Sequence, residues 1–256
     1  MGSGSITGYI DVAQIALYIF WIFFAGLIYY LQKESKREGF PLEMDVQDGR
    51  RSAGWLPMPA PKTYLLRNGQ TVTVPNDQRS PQVLAAEPSS RWAGSPLEPT
   101  GNPMIEGVGP GAYADRADVP DLTAEGELKI VPLRAAPGFG VDGEDPDPRG
   151  MPVVGDDGVV GGTVVDLWVD RSEAIFRYLE VQVAGTDARP QVLLPVTFTR
   201  IGKSQVKVKS ILGGQFALVP RTRLPDQITL LEEEKIMAYY GAGTLYATPS
   251  RQEPLL

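Results

Sequence analysis

The side chains that could do chemistry in this chain are carboxylates, lysines and hydroxyl groups, because its 256 residues include neither histidine nor cysteine. Without imidazole or thiolate, the chain lacks the usual ligands of zinc and the usual axial ligands of haem. It also lacks the histidine base of a catalytic triad, and it can form no disulfide. No nucleophile with a partner base can be named, so the residue types argue against an enzyme and against a metal site.

An acidic stretch between residues 142 and 157 could suggest a calcium site. Its spacing does not match an EF-hand loop and prolines interrupt it, so the pattern favours a solvated acidic loop. The carboxylates concerned are Asp142, Glu144, Asp145, Asp147, Asp156 and Asp157.

Two glycine-rich stretches could suggest phosphate binding. They are GVGPG, which begins at Gly107, and VVGG, which begins at Val159. Neither follows a strand and opens a helix as a phosphate loop does, so we predict a turn at each.

Residues 12–31 form a run of 20 residues without a charged side chain. At about 1.5 Å per residue this run makes about 30 Å of helix, the thickness of the hydrocarbon core of a bilayer. We predict a transmembrane helix with Asp11 as its N-cap. A cleaved signal peptide is the alternative, but it would have a basic start and a cleavage site of small residues, which this sequence does not show.

The flanks of this helix predict its orientation. Five basic residues follow it within 20 positions, namely Lys33, Lys36, Arg37, Arg50 and Arg51, whereas only Asp11 precedes it closely. Basic residues near a span stay on the cytoplasmic side, so residues 1–11 should be periplasmic and the rest cytoplasmic.

Four residues of this region are predicted to contact lipid or a neighbouring helix. Tyr29, Tyr30 and Lys33 lie at one end of the run and suit the membrane interface. Trp21 lies at mid-span, away from the interface, so we expect it to pack on a partner helix.

Residues 32–151 carry most of the 23 prolines and many of the 28 glycines. No helical period survives this spacing. A disordered linker is one interpretation. However, large apolar residues such as Trp55, Tyr64 and Trp92 lie between the prolines, and they favour an extended cytoplasmic segment that gains order by covering another protein.

Residues 152–249 have the pattern of a small β-barrel. Four runs rich in β-branched and aromatic residues, at 162–170, 176–183, 191–201 and 205–211, are separated by turn residues. A short helix over residues 230–240 follows, with Thr229 and Glu232 as a capping box and Gly241 as its C′ residue. The carboxylates Glu232, Glu233 and Glu234 suit the dipole of its first turn. The predicted fold is therefore membrane-anchored α+β, with a tail at residues 250–256.

The net charge of −7 and the pI of about 4.8 make nucleic acid a poor partner.

Several long segments of the chain resemble the H subunit of the photosynthetic reaction centre of purple bacteria. The resemblance extends from about residue 9 to residue 249. The segments that carry it are FWIFFAGLIYYLQKESKREGFPLE (20–43), GVGPGAYADRADVPDL (107–122), KIVPLRAAPGF (129–139), DPRGMPVVGDDGVVGGTVVDLWVDRSE (147–173), RYLEV (177–181) and ITLLEEEKIMAYYGAGTLYA (228–247).

This resemblance implies a structural subunit of the bacterial inner, or intracytoplasmic, membrane that binds no pigment itself. Its single helix would lie beside the L and M subunits, and its barrel would cap their quinone sites. Bacteriochlorophyll, bacteriopheophytin, quinone and iron are expected in those partners, with lipids around them. The sequence does not decide whether a bound cytochrome or a light-harvesting antenna ring accompanies them.

The resemblance also implies a proton path to the secondary quinone. Glu173 matches the family glutamate that takes part in this transfer. Asp170, close to it in sequence, is a further candidate for proton transfer, and Arg177 is a candidate ion-pair partner that would tune Glu173. The best-studied members carry two histidines where protons enter, whereas this chain has Glu125 and Glu127. Exposed carboxylates are poor proton reservoirs at neutral pH unless their neighbours raise the pKa, but they can relay protons. We expect these two glutamates to lie on an extended segment and point the same way.

Two functions from other classes remain open from the residues. One is a membrane-anchored barrel-domain adaptor for another membrane complex. The other is a membrane-tethered hydrolase, for which the sequence offers no nucleophile and base.

Overall fold

The computed structural model describes residues 11–43, 51–52, 54–76, 83–92, 95–185 and 190–252. The predicted periplasmic residues before Asp11 and the last four residues of the predicted tail lie outside these ranges. The chain divides into two compact units, Met1–Pro81 with Arg91–Ser95, and Gln82–Ser90 with Pro96–Leu256. Each unit is described by itself.

The first unit begins with helix α1, Val12–Ser35. Asp11 is its N-cap, as predicted, because its Oδ1 accepts a hydrogen bond of 2.7 Å from the backbone N–H of Gln14. The helix continues four residues beyond the predicted end at Leu31. It has the length and hydropathy to cross a membrane, and none of its residues is buried within the chain.

Two strand pairs follow α1 in the stretch that was predicted to be extended. Strands β1 (Leu42–Glu43) and β2 (Arg51–Ser52) pair antiparallel, as do β3 (Lys62–Leu65) and β4 (Thr71–Val74). The guanidinium of Arg37 donates to the carbonyls of Ala60 at 2.5 Å and Val74 at 3.3 Å. Polar contacts therefore organise this part of the unit, and large side chains such as Trp55, which is 86% exposed, remain on its surface.

The second unit contains a separate hairpin and a seven-stranded sheet. The hairpin pairs β5 (Ala86–Pro88) with β6 (Leu97–Pro99). The strands of the sheet are β7 (Ile130–Pro132), β8 (Pro152–Val154), β9 (Val160–Asp170), β10 (Ile175–Val183), β11 (Gln191–Pro195), β12 (Thr199–Ile201) and β13 (Val206–Val208).

The sheet has the order β11-β10-β9-β8-β13-β12, and β7 also pairs with β9. All pairs are antiparallel except β8 with β13. Register shifts between β9 and β10 and between β8 and β9 mark irregular points in the ladder. Such irregularities bend strands, and the sheet forms the half-barrel expected from the sequence.

Strand β9 departs from simple alternation because side chains cover it on both faces. Leu167 and Trp168 belong to the main core, whereas Val169 packs with Val131 and Ala136 in a smaller cluster. The five residues from Asp166 to Asp170 are all buried.

Three predictions about the sheet need correction. The run predicted as one strand over 191–201 is broken after Pro195 by a 3-10 turn, Val196–Phe198, which separates β11 from β12. The sheet also begins before the predicted barrel boundary at residue 152, because β7 pairs with β9. The VVGG stretch is not a turn: β9 begins at Val160, and its glycines leave room for Phe216 and for the carbonyl of Gln182.

Helix α2, Leu230–Tyr246, confirms the predicted capping box. Thr229 Oγ1 accepts a hydrogen bond of 3.1 Å from the N–H of Glu232, and Glu232 Oε2 accepts one of 2.9 Å from the N–H of Thr229. The predicted end at Gly241 is wrong, because the helix continues to Tyr246.

Gly241 serves close packing rather than helix termination. A Cβ atom there would lie 2.9 Å from the carbonyl oxygen of Pro110, in the 3-10 turn Gly109–Gly111. That turn lies in the GVGPG stretch, where the sequence predicted a turn. Small residues on both elements therefore let α2 pack against it.

Candidate functional site

Asp170 organises the turn that carries Glu173. It is the last residue of β9 and is fully buried, and its Oδ1 accepts hydrogen bonds from the N–H groups of Ser172 at 3.0 Å and Glu173 at 3.2 Å. The turn then passes through Ala174, whose φ of 53° is left-handed, into β10. A buried carboxylate thus positions an exposed one.

Lys129 lies beside this turn and links two carboxylates. Its Nζ is 3.6 Å from Asp170 Oδ2 and 3.5 Å from Asp121 Oδ2. Burial lowers the pKa of Lys129, but the negative charges of Asp170, Asp121 and Glu173 outweigh that effect, so the net shift is upward. Lys129 therefore remains charged next to the turn.

The second oxygen of Asp170 has no hydrogen-bond donor within the part of the chain that the structure describes. That oxygen, Oδ2, is the one that faces the ammonium group of Lys129 at 3.6 Å, so the ion pair supplies its positive partner.

A cavity of about 590 Å³ adjoins this turn. Its lining is a mixture of acidic, basic and apolar side chains. They include Arg116, Asp121, Lys129, Ile175, Arg177, Tyr178, Glu233 and Met237.

Within this cavity, Tyr178 and Glu233 form a polar pair that the sequence did not predict. The hydroxyl of Tyr178 donates to Glu233 Oε2 at 2.8 Å. Burial raises the pKa of Glu233, although Tyr178, Arg177 and Arg116 partly oppose this shift. Burial and the charge of Glu233 also raise the pKa of Tyr178. The sequence assigned Glu233 only to the helix dipole, and its contact with β10 arises from tertiary packing.

The predicted pairing of Arg177 with Glu173 is not found among the described residues. The charge of Arg177 acts on Glu233 and Tyr178 instead. Arg177 lies at the register shift between Phe176 and Tyr178, and all three residues line the cavity. The positive charge next to Asp170 is instead that of Lys129.

Glu125 and Glu127 lie on a turn and not on an extended segment. The N–H of Gly126 donates to the carbonyl of Thr123 at 3.0 Å, and Gly126 has a left-handed φ of 86°. Glu127 Oε2 accepts a hydrogen bond of 2.8 Å from Arg171, the neighbour of Asp170. Glu127 is therefore connected to the Asp170 turn through one guanidinium, and both glutamates are exposed.

A second polar cluster lies on the sheet and was also missed. Arg134 donates to Asp166 Oδ2 at 3.0 Å and to Glu180 Oε2 at 2.5 Å, and it pairs with Asp226 at 2.9 Å. Glu180 Oε2 also accepts from the indole N–H of Trp168 at 2.9 Å. The sequence did contain a signal for this cluster, because Asp166 in DLWVD and Glu180 in RYLEV are acids within otherwise apolar runs.

The remaining predicted residues are placed as follows. Trp21, Tyr29 and Tyr30 are about half exposed on α1, and Trp21 packs only edge-to-face with Phe20 and Phe24. Lys33 lies in the last turn of α1. Their contacts with lipid or a partner helix stay predictions.

The acidic loop is solvated, as predicted. Asp142, Glu144 and Asp145 are exposed, and Asp147 pairs with Arg149 at 2.6 Å. In the described ranges, no group of three or more Asp, Glu, His or Cys side chains is arranged to hold a metal ion.

Two protein families match this chain. The photosynthetic reaction centre H-chain N-terminal region matches residues 4–135, and the PRC-barrel domain matches residues 143–215. The first match includes Glu125, Glu127 and Lys129, and the second includes Asp170 and Glu173. The candidate site thus draws on both matched regions.

Proposed function

Because this chain belongs to the photosynthetic reaction centre H-chain family, we propose that it is a non-enzymatic subunit that covers the cytoplasmic side of the L and M subunits. The family makes it a component of the photosynthetic reaction centre. In the proposed role it excludes bulk water from the quinone sites and provides part of the proton path to the secondary quinone.

The helix α1 supports the membrane part of this proposal. The candidate span and the family both fit a single-pass membrane protein. The basic residues after α1 favour a periplasmic N-terminus and a cytoplasmic bulk. The exposed aromatic side chains of α1 would then face lipid and the partner helices.

Cofactors would be supplied by the partners. The bacteriochlorophyll, bacteriopheophytin, quinone and iron of the proposed complex would lie in the L and M subunits, because this chain has neither histidine nor cysteine to ligate them. Purification from native membranes should therefore yield a pigmented complex, whereas an adaptor for another complex would purify without pigment.

The observation that carries the proton path is the arrangement of Asp170 and Glu173. A proton relay needs ionisable groups close together, at least one of which meets water. Glu173 is exposed, and its backbone is held by the buried carboxylate of Asp170. Lys129 keeps a positive charge 3.6 Å from that carboxylate, which holds the ionic groups of the proposed path close together.

The cavity next to the turn supports a continuation of the relay. Glu233 is half buried, and burial raises its pKa. It therefore holds a proton more readily near neutral pH than a solvated carboxyl group does. The ion pair with Arg171 holds Glu127 beside the turn, where it would meet protons from water. These carboxylates define the surface where water-borne protons would enter.

The test is Glu173→Gln in the assembled complex. We expect the second electron transfer to the secondary quinone, with its coupled proton, to slow by roughly tenfold or more, while primary charge separation is unchanged. Flash-induced absorption changes of the semiquinone measure both steps. The matched control is Glu144→Gln, which removes an exposed carboxylate from the acidic loop. Equal rates in the wild type and Glu173→Gln between pH 6 and 9 would remove Glu173 from the path.

A further inference from the structure

A second cavity, of about 890 Å³, lies beside the hairpin formed by β12 and β13. We call it the basic groove and define it by Arg200, Lys207, Lys209, Ser210 and Arg251, all of which line it. It is separate from the candidate proton path, and the proposed function assigns it no role.

The positive charges of the basic groove are largely uncompensated. Arg200 and Lys207 are directly opposite each other in the antiparallel register, and both are exposed. Within the part of the chain that the structure describes, neither these two side chains nor Lys209 has a carboxylate partner. Like charges opposite each other destabilise a strand pair. An anion bound between them would offset this cost.

The wall of the groove is held rigidly by Arg251. Its guanidinium donates to the carbonyls of Ser210 at 2.7 Å, Gly243 at 2.5 Å and Lys209 at 2.9 Å, and it pairs with Asp156 at 2.8 Å. These contacts tie the groove to α2. The backbone that carries Lys209 and Ser210 is therefore held against α2 at this wall.

Ser210 provides an independent observation. It is 5% exposed, and its Oγ has no hydrogen-bond partner among the described residues. A buried hydroxyl without a partner costs free energy. Ser210 also lines the groove, so rotation of its side chain towards the groove would let a phosphate oxygen accept this hydrogen bond.

We propose that the basic groove binds the phosphate group of an anionic membrane phospholipid. The candidate span α1 keeps this chain at a membrane, so anionic headgroups are present at high effective concentration. Phe198, stacked on Tyr240 at 5.7 Å, also lines the groove and offers an apolar surface beside the cations. That combination suits a glycerophospholipid better than a free phosphate ion.

The test uses the full chain in a neutral detergent. It is titrated by calorimetry with short-chain phosphatidylglycerol, short-chain phosphatidylcholine and inorganic phosphate. We expect the anionic lipid to bind more tightly than either of the other two probes. Equal affinity for phosphatidylcholine and phosphatidylglycerol would overturn the proposal. If inorganic phosphate binds as tightly as phosphatidylglycerol, the groove is a site for a soluble anion and the lipid proposal is also overturned.

Two variants with the same change in net charge separate the groove from general electrostatics. Arg200→Gln with Lys207→Gln should weaken binding of phosphatidylglycerol about 25-fold, because each cation near an anionic headgroup contributes roughly fivefold. Lys203→Gln with Arg221→Gln removes two exposed cations that do not line the groove, and should weaken it less than about twofold. Equal losses in the two variants would overturn the proposal.

Folding is checked in the same samples. Removal of the like-charge pair should leave the melting temperature unchanged or raise it, so a loss of binding by Arg200→Gln with Lys207→Gln cannot be ascribed to unfolding. Ser210→Ala removes only the unpartnered hydroxyl and should weaken binding about threefold, a loss typical of one hydrogen bond. Unchanged affinity in Ser210→Ala would show that the phosphate does not reach this wall, contrary to the proposal.

Discussion

Tyr178 on β10 and Glu233 in the first turn of α2 are joined by a hydrogen bond of 2.8 Å between the phenol and Oε2. Tyr178 is 3% exposed, and Glu233 is half buried beside it. The pair connects the half-barrel to its helix in the cavity next to the Asp170 turn. Because burial raises the pKa of Glu233 above its usual 4.5, the pair should respond to pH.

Glu233→Gln should change how stability depends on pH. The folded protein binds the Glu233 proton more tightly than the unfolded chain does, so this group contributes stability below the unfolded pKa and loses it as pH rises through the folded pKa. The glutamine keeps an acceptor for Tyr178 and does not titrate. The variant should therefore gain melting temperature relative to wild type between pH 4 and pH 7, measured on the full chain. Glu144→Gln is the control, and parallel curves for Glu233→Gln and wild type would contradict the prediction.

Arg134→Gln should destabilise the half-barrel. Glu180 is 3% exposed, and its carboxylate forms an ion pair of 2.5 Å with the guanidinium of Arg134. The same guanidinium forms an ion pair with Asp166. Removal of one partner leaves buried negative charge uncompensated, so we expect a loss of about 3 kcal/mol in the free energy of unfolding. Chemical denaturation of the full chain measures it.

The double variant Arg134→Gln with Glu180→Gln provides the control for this prediction. It removes the stranded charge and keeps an acceptor for the indole N–H of Trp168. About half of the lost stability should return. If the double variant is less stable than Arg134→Gln alone, the loss arises from packing and not from charge.

Proton uptake by the assembled complex should resist micromolar zinc, and Glu125→His with Glu127→His should create sensitivity. Imidazole binds zinc far better than an exposed carboxylate does, and a bound ion would obstruct proton entry. The two positions lie on either side of Gly126 in the turn, and both are exposed. A pH dye after flashes measures uptake, with the single variant Glu125→His as control. Strong inhibition of the unmodified complex would show that another chain supplies the ligands.

The orientation of α1 can be tested with single cysteines, since the natural chain has none. In sealed inside-out vesicles, an impermeant maleimide should label Ser204→Cys, at an exposed position in the turn between β12 and β13, and should not label Ser3→Cys before α1. The basic residues after the helix are the reason. Labelling of Ser3→Cys alone would reverse the orientation.

Local signals in the sequence predicted much of this architecture. The uncharged run after Asp11 predicts α1 and its cap, because hydropathy and capping depend on neighbouring residues. The pair Thr229 and Glu232 predicts the start of α2 for the same reason, and period-two patterns locate β9 and β10. The resemblance located Glu173, which no pattern of residue types would have singled out.

Contacts between distant residues required the tertiary structure. Gly241 resembles a helix end, yet α2 continues through it, because a glycine there lets the helix approach Pro110. The partners of Lys129, Arg177 and Glu233 come from elements far apart in the chain. Sequence proximity therefore suggested a pair of Arg177 with Glu173 that is not found among the described residues. Composition and local sequence patterns thus determined the membrane helix and the main strands, and they excluded chemistry that needs histidine or cysteine. Only packing decided which charges face one another, because those distances depend on how the half-barrel folds and on where α2 lies against it.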